Sequence, residues 1–207
     1  MTEKQLISSA KVLSVISTPF YAPIWAFLGM FLFSYLKLLP WAFKVQILIM
    51  VWLFTVFIPR TGINFFRVFN KWTHWQMSHR ENRFISYSIS LLSYMVCIMI
   101  MTKMNVPMFI RGVILASLVS QIVCMAINVW WKVSTHMMAM GGLMGVLVGM
   151  SYIFYFNPAI SVCLLLLLSG CVGTARLILR QHTPAQLAVG YIIGFVFAMV
   201  FVMLSWM

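Results

Sequence analysis

The chain has 207 residues, of which 63% are hydrophobic, and its formal net charge is +12. A mean hydropathy of +1.02 is far above that of a soluble domain and predicts a membrane protein. Because the charges fall in short loops between apolar segments, they indicate contact with anionic lipid and no nucleic-acid partner. Only Glu3 and Glu81 are acidic, which excludes a carboxylate pair for acid–base catalysis and an acidic site for Mg²⁺ or Ca²⁺.

Hydrophobic segments follow one another along the whole chain, each close to the roughly 20 residues that a helix needs to cross the hydrocarbon core. They predict an all-α, polytopic transmembrane helix bundle of about six to seven spans, forming a single transmembrane domain over residues 1–207. The predicted spans cover residues 18–36, 41–59, 84–102, 107–131, 137–156, 158–179 and 185–207. The four cysteines lie inside these segments without a Cys-x-x-Cys motif, so we interpret them as packing residues.

Three polar segments separate these spans, at residues 60–83, 131–136 and 176–184. Two predicted spans lie between the first and second of these segments, and two more lie between the second and third. The parity therefore places all three on one face of the membrane, and we expect them to form the loops of an active face.

Two histidines stand beside basic residues in these segments. One segment contains Lys132 and His136, and another contains Arg176 and His182. Ionisable side chains at the mouth of a lipid-buried bundle are costly and indicate function. Residues 183 and 184, Thr-Pro, are a typical helix start, and we also expect a helix to begin after His136, so both histidines lie near helix N-termini that favour anions. The pattern predicts a site for an anion, and we expect the phosphate of a membrane lipid.

These residues resemble the motifs of the type 2 phosphatidic acid phosphatase family of membrane lipid phosphatases. The family motif of Ser-Arg, five residues, His, three residues and Asp corresponds here to Ala175, Arg176, His182 and Gln186, with every spacing kept. The motif Pro-Ser-Gly-His corresponds to Val133, Ser134, Thr135 and His136, with Lys132 ahead of it. The motif of Lys, six residues and Arg-Pro matches least, because Arg83 is followed by Phe84 and preceded seven positions earlier by Gln76.

The resemblance implies a phosphatase that uses no metal and no other cofactor and that forms a phosphohistidine intermediate. It implies that His182 is the nucleophile and that His136 is the acid that protonates the leaving oxygen. It assigns the phosphate oxygens to the side chains of Arg83, Lys132 and Arg176 and to backbone N–H groups around Ser134 and Thr135. The candidate substrates are an isoprenyl diphosphate, a glycerophospholipid phosphate and a lipid A phosphate.

Gln186 stands where the family has an aspartate that stabilises the nucleophilic histidine. Its side-chain carbonyl can accept the same hydrogen bond and fix the tautomer of His182, but it carries no charge. Catalysis would then be slower or absent. This departure leaves a second hypothesis open, a catalytically weakened relative that binds or moves anionic lipid or acts as a subunit of a membrane assembly.

Other interpretations of the histidines remain. His136 and His182 could form hydrogen bonds between helices, or could ligate a haem. His74 and His79 lie close to Trp72 and Trp75, a pattern typical of an interfacial segment with aromatic anchors.

The sequence gives two opposite indications of orientation. Ten basic residues lie on the predicted active face and four on the other, which by the positive-inside rule favours a cytoplasmic active face. Without four proposed phosphate ligands (Arg80, Arg83, Lys132 and Arg176) the difference falls to six against four. The resemblance implies an extracytoplasmic site, and we expect that face, in a bacterial cytoplasmic (inner) membrane.

Overall fold

The computed structural model describes the backbone of residues 3–71 and 80–206, and the side chains of residues 4–71 and 84–206. Over the described residues the chain is helical and has no strand. Seven of its helical segments are long and apolar enough to cross a membrane. The predicted all-α fold of an integral membrane protein is therefore confirmed.

Nine α-helices make up the described part of the chain. They are α1 (Glu3–Ile16), α2 (Ala22–Phe33), α3 (Trp41–Trp52), α4 (Ile58–Phe69), α5 (Arg80–Lys103), α6 (Met108–Ile127), α7 (Thr135–Phe154), α8 (Ala159–Ile178) and α9 (Pro184–Leu204). The last five correspond to the last five predicted spans, with ends that shift by a few residues. Short 3₁₀ helices at Pro19–Tyr21 and Tyr35–Leu38 flank α2.

The first candidate span is longer than predicted. It covers Lys4–Phe33 and contains α1 as well as α2. Lysine and serine residues lower the hydropathy of α1, so the hydrophobic pattern alone places the start of the first span at residue 18. One side of α1 nevertheless packs against the protein, because Ala10 is buried and Leu13 contacts a cluster formed by α7, α8 and α9.

The second span also extends beyond its predicted end. A π-helix at Leu53–Phe57 connects α3 to α4, and Pro59 lies in the first turn of α4, where its missing N–H breaks no regular helix hydrogen bond. The helix therefore continues to Phe69. The segment 60–83, predicted as a loop, begins as an amphipathic helix; residues 72–79, including His74 and His79, lie outside the described residues.

Glycines allow α7 and α9 to pack at backbone contact. A Cβ on Gly141 or Gly145 would overlap backbone atoms of α9, and a Cβ on Gly194 would overlap the carbonyl oxygen of Met138. Gly141 and Gly145 are four residues apart, which is the small-residue spacing typical of close helix packing in membranes. Small residues at such a crossing let helices gain dispersion contacts in a membrane, where the hydrophobic effect does not drive helices together.

We expect Gly194→Ala to destabilise the protein by about 2 kcal/mol or more, because its Cβ can be accommodated only if the backbones of α7 and α9 separate. Thermal unfolding in detergent, followed by tryptophan fluorescence, measures the change. Gly29→Ala is the matched control, because a Cβ on this α2 glycine meets nothing within 4 Å. Equal melting temperatures for the two variants would contradict the tight crossing.

Candidate functional site

A cavity of about 670 Å³ brings together residues that are far apart in the sequence. Five of the eight predicted site residues line it, namely Lys132, Thr135, His136, Arg176 and His182. Two others, Ser134 and Gln186, lie directly behind this lining and hold it through hydrogen bonds. The side chain of Arg83, the eighth, lies outside the described residues.

The starts of α7 and α9 are joined, which places both histidines at the same end of the bundle. The Ser134 N–H donates to the carbonyl oxygen of Gln186 over 3.3 Å. A Cβ at Gly190 would overlap the Ser134 carbonyl oxygen, so glycine is needed for this approach. Lys132 Nζ donates to the carbonyl oxygen of Gln181 over 2.9 Å, which adds a second link across the cavity mouth.

Both helix starts carry caps; the cap at Thr183 was predicted, whereas α7 begins at Thr135, before His136 and not after it as expected. Ser134 caps α7, its hydroxyl accepting the Met137 N–H over 3.4 Å, and Thr183 caps α9 by accepting the Gln186 N–H over 3.4 Å. His136 is thus the second residue of α7, and His182 immediately precedes the cap of α9. Two helix N-termini, each with a positive end of its dipole, lie beside the cavity and favour an anion there.

The hydrogen bonds of Gln186 determine the tautomer of His182. The Thr183 N–H donates to Gln186 Oε1 over 3.2 Å, and since an N–H needs an acceptor, this contact fixes which end of the amide is the oxygen. His182 Nδ1 lies 3.1 Å from the same oxygen and must therefore carry a hydrogen. In the neutral ring the lone pair is then on Nε2, which is the atom that a nucleophilic role requires.

Ser14 of α1 holds two residues of the site at once. Its hydroxyl oxygen accepts a hydrogen bond from Arg176 Nη1 over 2.7 Å, and its backbone carbonyl lies 3.1 Å from His136 Nε2. Because a carbonyl only accepts, His136 Nε2 carries a hydrogen. Ser14 was not among the predicted site residues, because the predicted first span began at residue 18. The only signal in the sequence was a serine within an apolar run, residues 12–16.

Arg176 lies in the last turn of α8, where the chain reverses toward α9. Its carbonyl accepts the Gln181 N–H over 3.1 Å, and Arg180 adopts a left-handed conformation with φ of 50°. This helix end, usually made with glycine, costs a larger residue about 1 kcal/mol. The reversal brings Arg180 and Gln181 to the cavity together with Arg176.

The cavity carries a net positive charge. Lys132, Arg176 and Arg180 line it, whereas Glu3 and Glu81 are the only acidic residues of the whole chain. Two carboxylates cannot neutralise three cations together with the positive ends of two helix dipoles, so the cavity keeps a net positive charge. Arg176 and His182 are each only 8% exposed, so their environment has a low dielectric constant, in which a bound anion interacts strongly with them.

The comparisons with known proteins give no relative. No protein-family model, no curated protein and no solved structure matches the chain. Among the described residues, no group of three or more His, Cys, Asp or Glu side chains is placed to hold a metal ion. The function is therefore inferred from the residues of the cavity.

We expect Ser14→Ala to lower the free energy of unfolding by about 1.5 kcal/mol, because the buried Arg176 guanidinium loses a charge-assisted hydrogen bond. Chemical or thermal unfolding in detergent measures the loss. Ser9→Ala is the control on the same helix, since the exposed Ser9 hydroxyl bonds only to the Gln5 carbonyl of its own helix. A Ser14→Ala variant as stable as Ser9→Ala would show that this contact contributes little.

Proposed function

We propose that the protein is a metal-independent phosphatase that removes phosphate from a membrane lipid through a phosphohistidine intermediate. The observation that carries the proposal is the hydrogen bond between His182 Nδ1 and Gln186 Oε1, in a cavity that His136 and two cations, Lys132 and Arg176, also line. In the neutral ring this bond puts the lone pair on Nε2, the atom that attacks in the proposed reaction. The fixed cations supply the charge stabilisation on which phosphoryl transfer mainly depends.

The reaction needs two steps. His182 Nε2 attacks phosphorus and forms a P–N bond while the P–O bond to the lipid breaks. Doubly protonated His136 gives its Nδ1 proton to the leaving lipid oxygen, because its Nε2–H is held by the Ser14 carbonyl. His136 then accepts a proton from water as the water oxygen attacks phosphorus, the P–N bond breaks, and inorganic phosphate is released. Arg176 and Lys132 neutralise the phosphate oxygens in both steps, and arginine suits this role because its fork binds two oxygens.

Gln186 lowers the rate expected of such a site. The amide orients His182, but it does not stabilise the positive charge that the ring gains when it bonds to phosphorus. The neutral Gln186 also favours a second candidate function, a protein that binds a lipid phosphate without hydrolysing it. Both functions use the same cavity and differ only in whether His182 becomes phosphorylated.

The membrane and the face belong to the same proposal. We place the protein in a bacterial cytoplasmic membrane with the cavity opening on the extracytoplasmic side. A cysteine introduced at Gln181, an exposed residue at the cavity mouth, would then react with an impermeant maleimide added outside intact cells. Labelling only after the cells are opened would contradict this orientation.

The first test is phosphate release from a panel of lipid phosphates in detergent that contains EDTA. We expect release by the wild type to survive EDTA and to fall to background in His182→Ala, which lacks the nucleophile. His136→Ala should form the phosphoenzyme slowly, because the leaving oxygen then lacks its acid. Acid-labile, base-stable labelling from a ³²P-lipid, present in the wild type and absent from His182→Ala, would identify the phosphohistidine.

Absence of release from every lipid, with a folded protein that binds lipid phosphates in a way that depends on Arg176, would contradict the phosphatase. The second function, binding without hydrolysis, would then hold. Release that EDTA abolishes would exclude both the metal-independent mechanism and the role given to His182.

Replacement of Gln186 isolates the role of its side chain. We expect Gln186→Asp to raise the rate of phosphate release about tenfold or more, because a carboxylate stabilises the charged ring of His182 as well as orienting it. Gln186→Leu should abolish release, because it removes the acceptor for Nδ1. Thr183→Ala is the control, because it removes the N-cap of α9 at a cost of about 1 kcal/mol of stability but keeps Gln186 Oε1 as the acceptor for His182 Nδ1. A rate unchanged in both Gln186 variants would contradict this role.

A further inference from the structure

Lys132, Arg176 and Arg180 form the cationic mouth of the cavity. Beyond it the cavity continues into the bundle, where two stripes of uncharged polar side chains line it. Ser86, Ser90 and Tyr94 recur every four residues along α5 and so share one face of that helix. Ser117, Ser120 and Gln121 form the corresponding stripe on α6. Ser90, Tyr94 and Ser120 are buried in membrane-spanning helices, where polar groups are costly unless they form hydrogen bonds.

These serines do not join the two helices to each other. The Ser90 hydroxyl donates to the carbonyl of Ser86, and the Ser117 hydroxyl donates to the carbonyl of Val113, each within its own helix. The hydroxyl hydrogens of Ser90 and Ser117 are therefore in use, and their oxygens can still accept. The Tyr94 hydroxyl interacts with the side chain of Gln121, an amide that has two donors and two acceptor lone pairs and so retains capacity for a ligand.

The floor of the cavity is apolar. It is lined by Val113, Val146 and Ala198. At a rise of about 1.5 Å per residue, these residues lie about 16–21 Å along their helices from the helix ends at the cationic mouth. By the same measure, Ser86, Ser120 and Gln121 lie about 9–11 Å from those ends, Ser90 and Ser117 about 15 Å, and Tyr94 about 21 Å. Neutral hydrogen-bonding groups therefore line the cavity from just below the cations down to the depth of these apolar residues.

We propose that the ligand carries hydroxyl groups between its phosphate and its hydrocarbon chain, so that the substrate is a sugar-type or other polyol phosphate of a lipid and not a phosphate attached directly to hydrocarbon. This inference rests on the proposed function, since it takes the cationic mouth as the phosphate site. Because the hydroxyl hydrogens of Ser90 and Ser117 are already in use, these side chains can only accept a hydrogen bond from the ligand. A hydroxyl group on the ligand supplies the donor, whereas an isoprenyl or alkyl chain does not. A volume of about 670 Å³ is in the range of pockets that enclose one headgroup.

The test compares two detergent-like probes, dodecyl phosphate and dodecyl glucoside 6-phosphate, by equilibrium binding to the full chain, with His182→Ala present in every protein so that neither probe is turned over. We expect the otherwise wild-type protein to bind the glucoside phosphate about tenfold more tightly. Gln121→Met, which keeps side-chain length but removes the amide, and Ser120→Ala should each reduce affinity for the glucoside phosphate about five- to tenfold and leave dodecyl phosphate unchanged, as expected for the loss of one hydrogen bond. Ser169→Ala, a buried serine of α8 outside the cavity, should change neither affinity.

Equal wild-type affinity for the two probes, or equal weakening of both by Gln121→Met, would overturn the inference. Glucose 6-phosphate distinguishes a free sugar phosphate from a lipid-linked one, and binding as tight as that of the glucoside would overturn the lipid part. Binding and phosphate release are measured separately, so the two proposals can fail independently. Tighter binding of the glucoside phosphate, without phosphate release by the wild type, would contradict only the proposed phosphatase activity. Phosphate release from both probes, with equal affinity for them, would contradict only the inference about ligand hydroxyl groups.

Discussion

The backbone contact between α7 and α9 is the constraint on which the site depends. Three glycines remove the side chains that would separate these helices, and a fourth, Gly190, lets the first turn of α9 reach the Ser134 carbonyl. Both helices begin at the same end of the bundle, so close packing also brings their N-termini together. Packing chemistry that is common in membranes thus creates a concentrated positive potential, and the two histidines are placed in it by their positions next to the caps.

The scarcity of acids shapes the rest of the site. With two carboxylates in 207 residues, the buried guanidinium of Arg176 is held partly by a neutral hydroxyl, that of Ser14, and His182 is oriented by an amide. Neutral partners satisfy geometry without cancelling charge. The cavity therefore keeps its positive charge, part of which an aspartate in place of Gln186 would cancel.

Much of this arrangement was predictable from the sequence, because hydropathy, parity and caps act locally. The spans follow from hydropathy within each helix, and the shared face of His136 and His182 follows from the even number of spans between them. The packing glycines follow from their spacing along single helices. Ser14 was not predictable, because its role depends on a contact across 162 residues. The end of the second span was not predictable either, because the π-helix at Leu53–Phe57 lets the helix continue past Pro59. Ser86, Ser90 and Tyr94 were missed because serine and tyrosine are unremarkable within an apolar segment.

The order of synthesis gives the capped start of α9 a further consequence. Helices enter the membrane from the N-terminus onward, so Ser14, His136 and Arg176 are all inserted before the helix that supplies Gln186. Until α9 arrives, Gly141 and Gly145 of α7 face lipid or another helix, and His182 has no partner for Nδ1 from Gln186. The insertion of α9 therefore forms the close helix pair and fixes the tautomer of His182 in one event, which couples correct helix packing to the arrangement of the cavity.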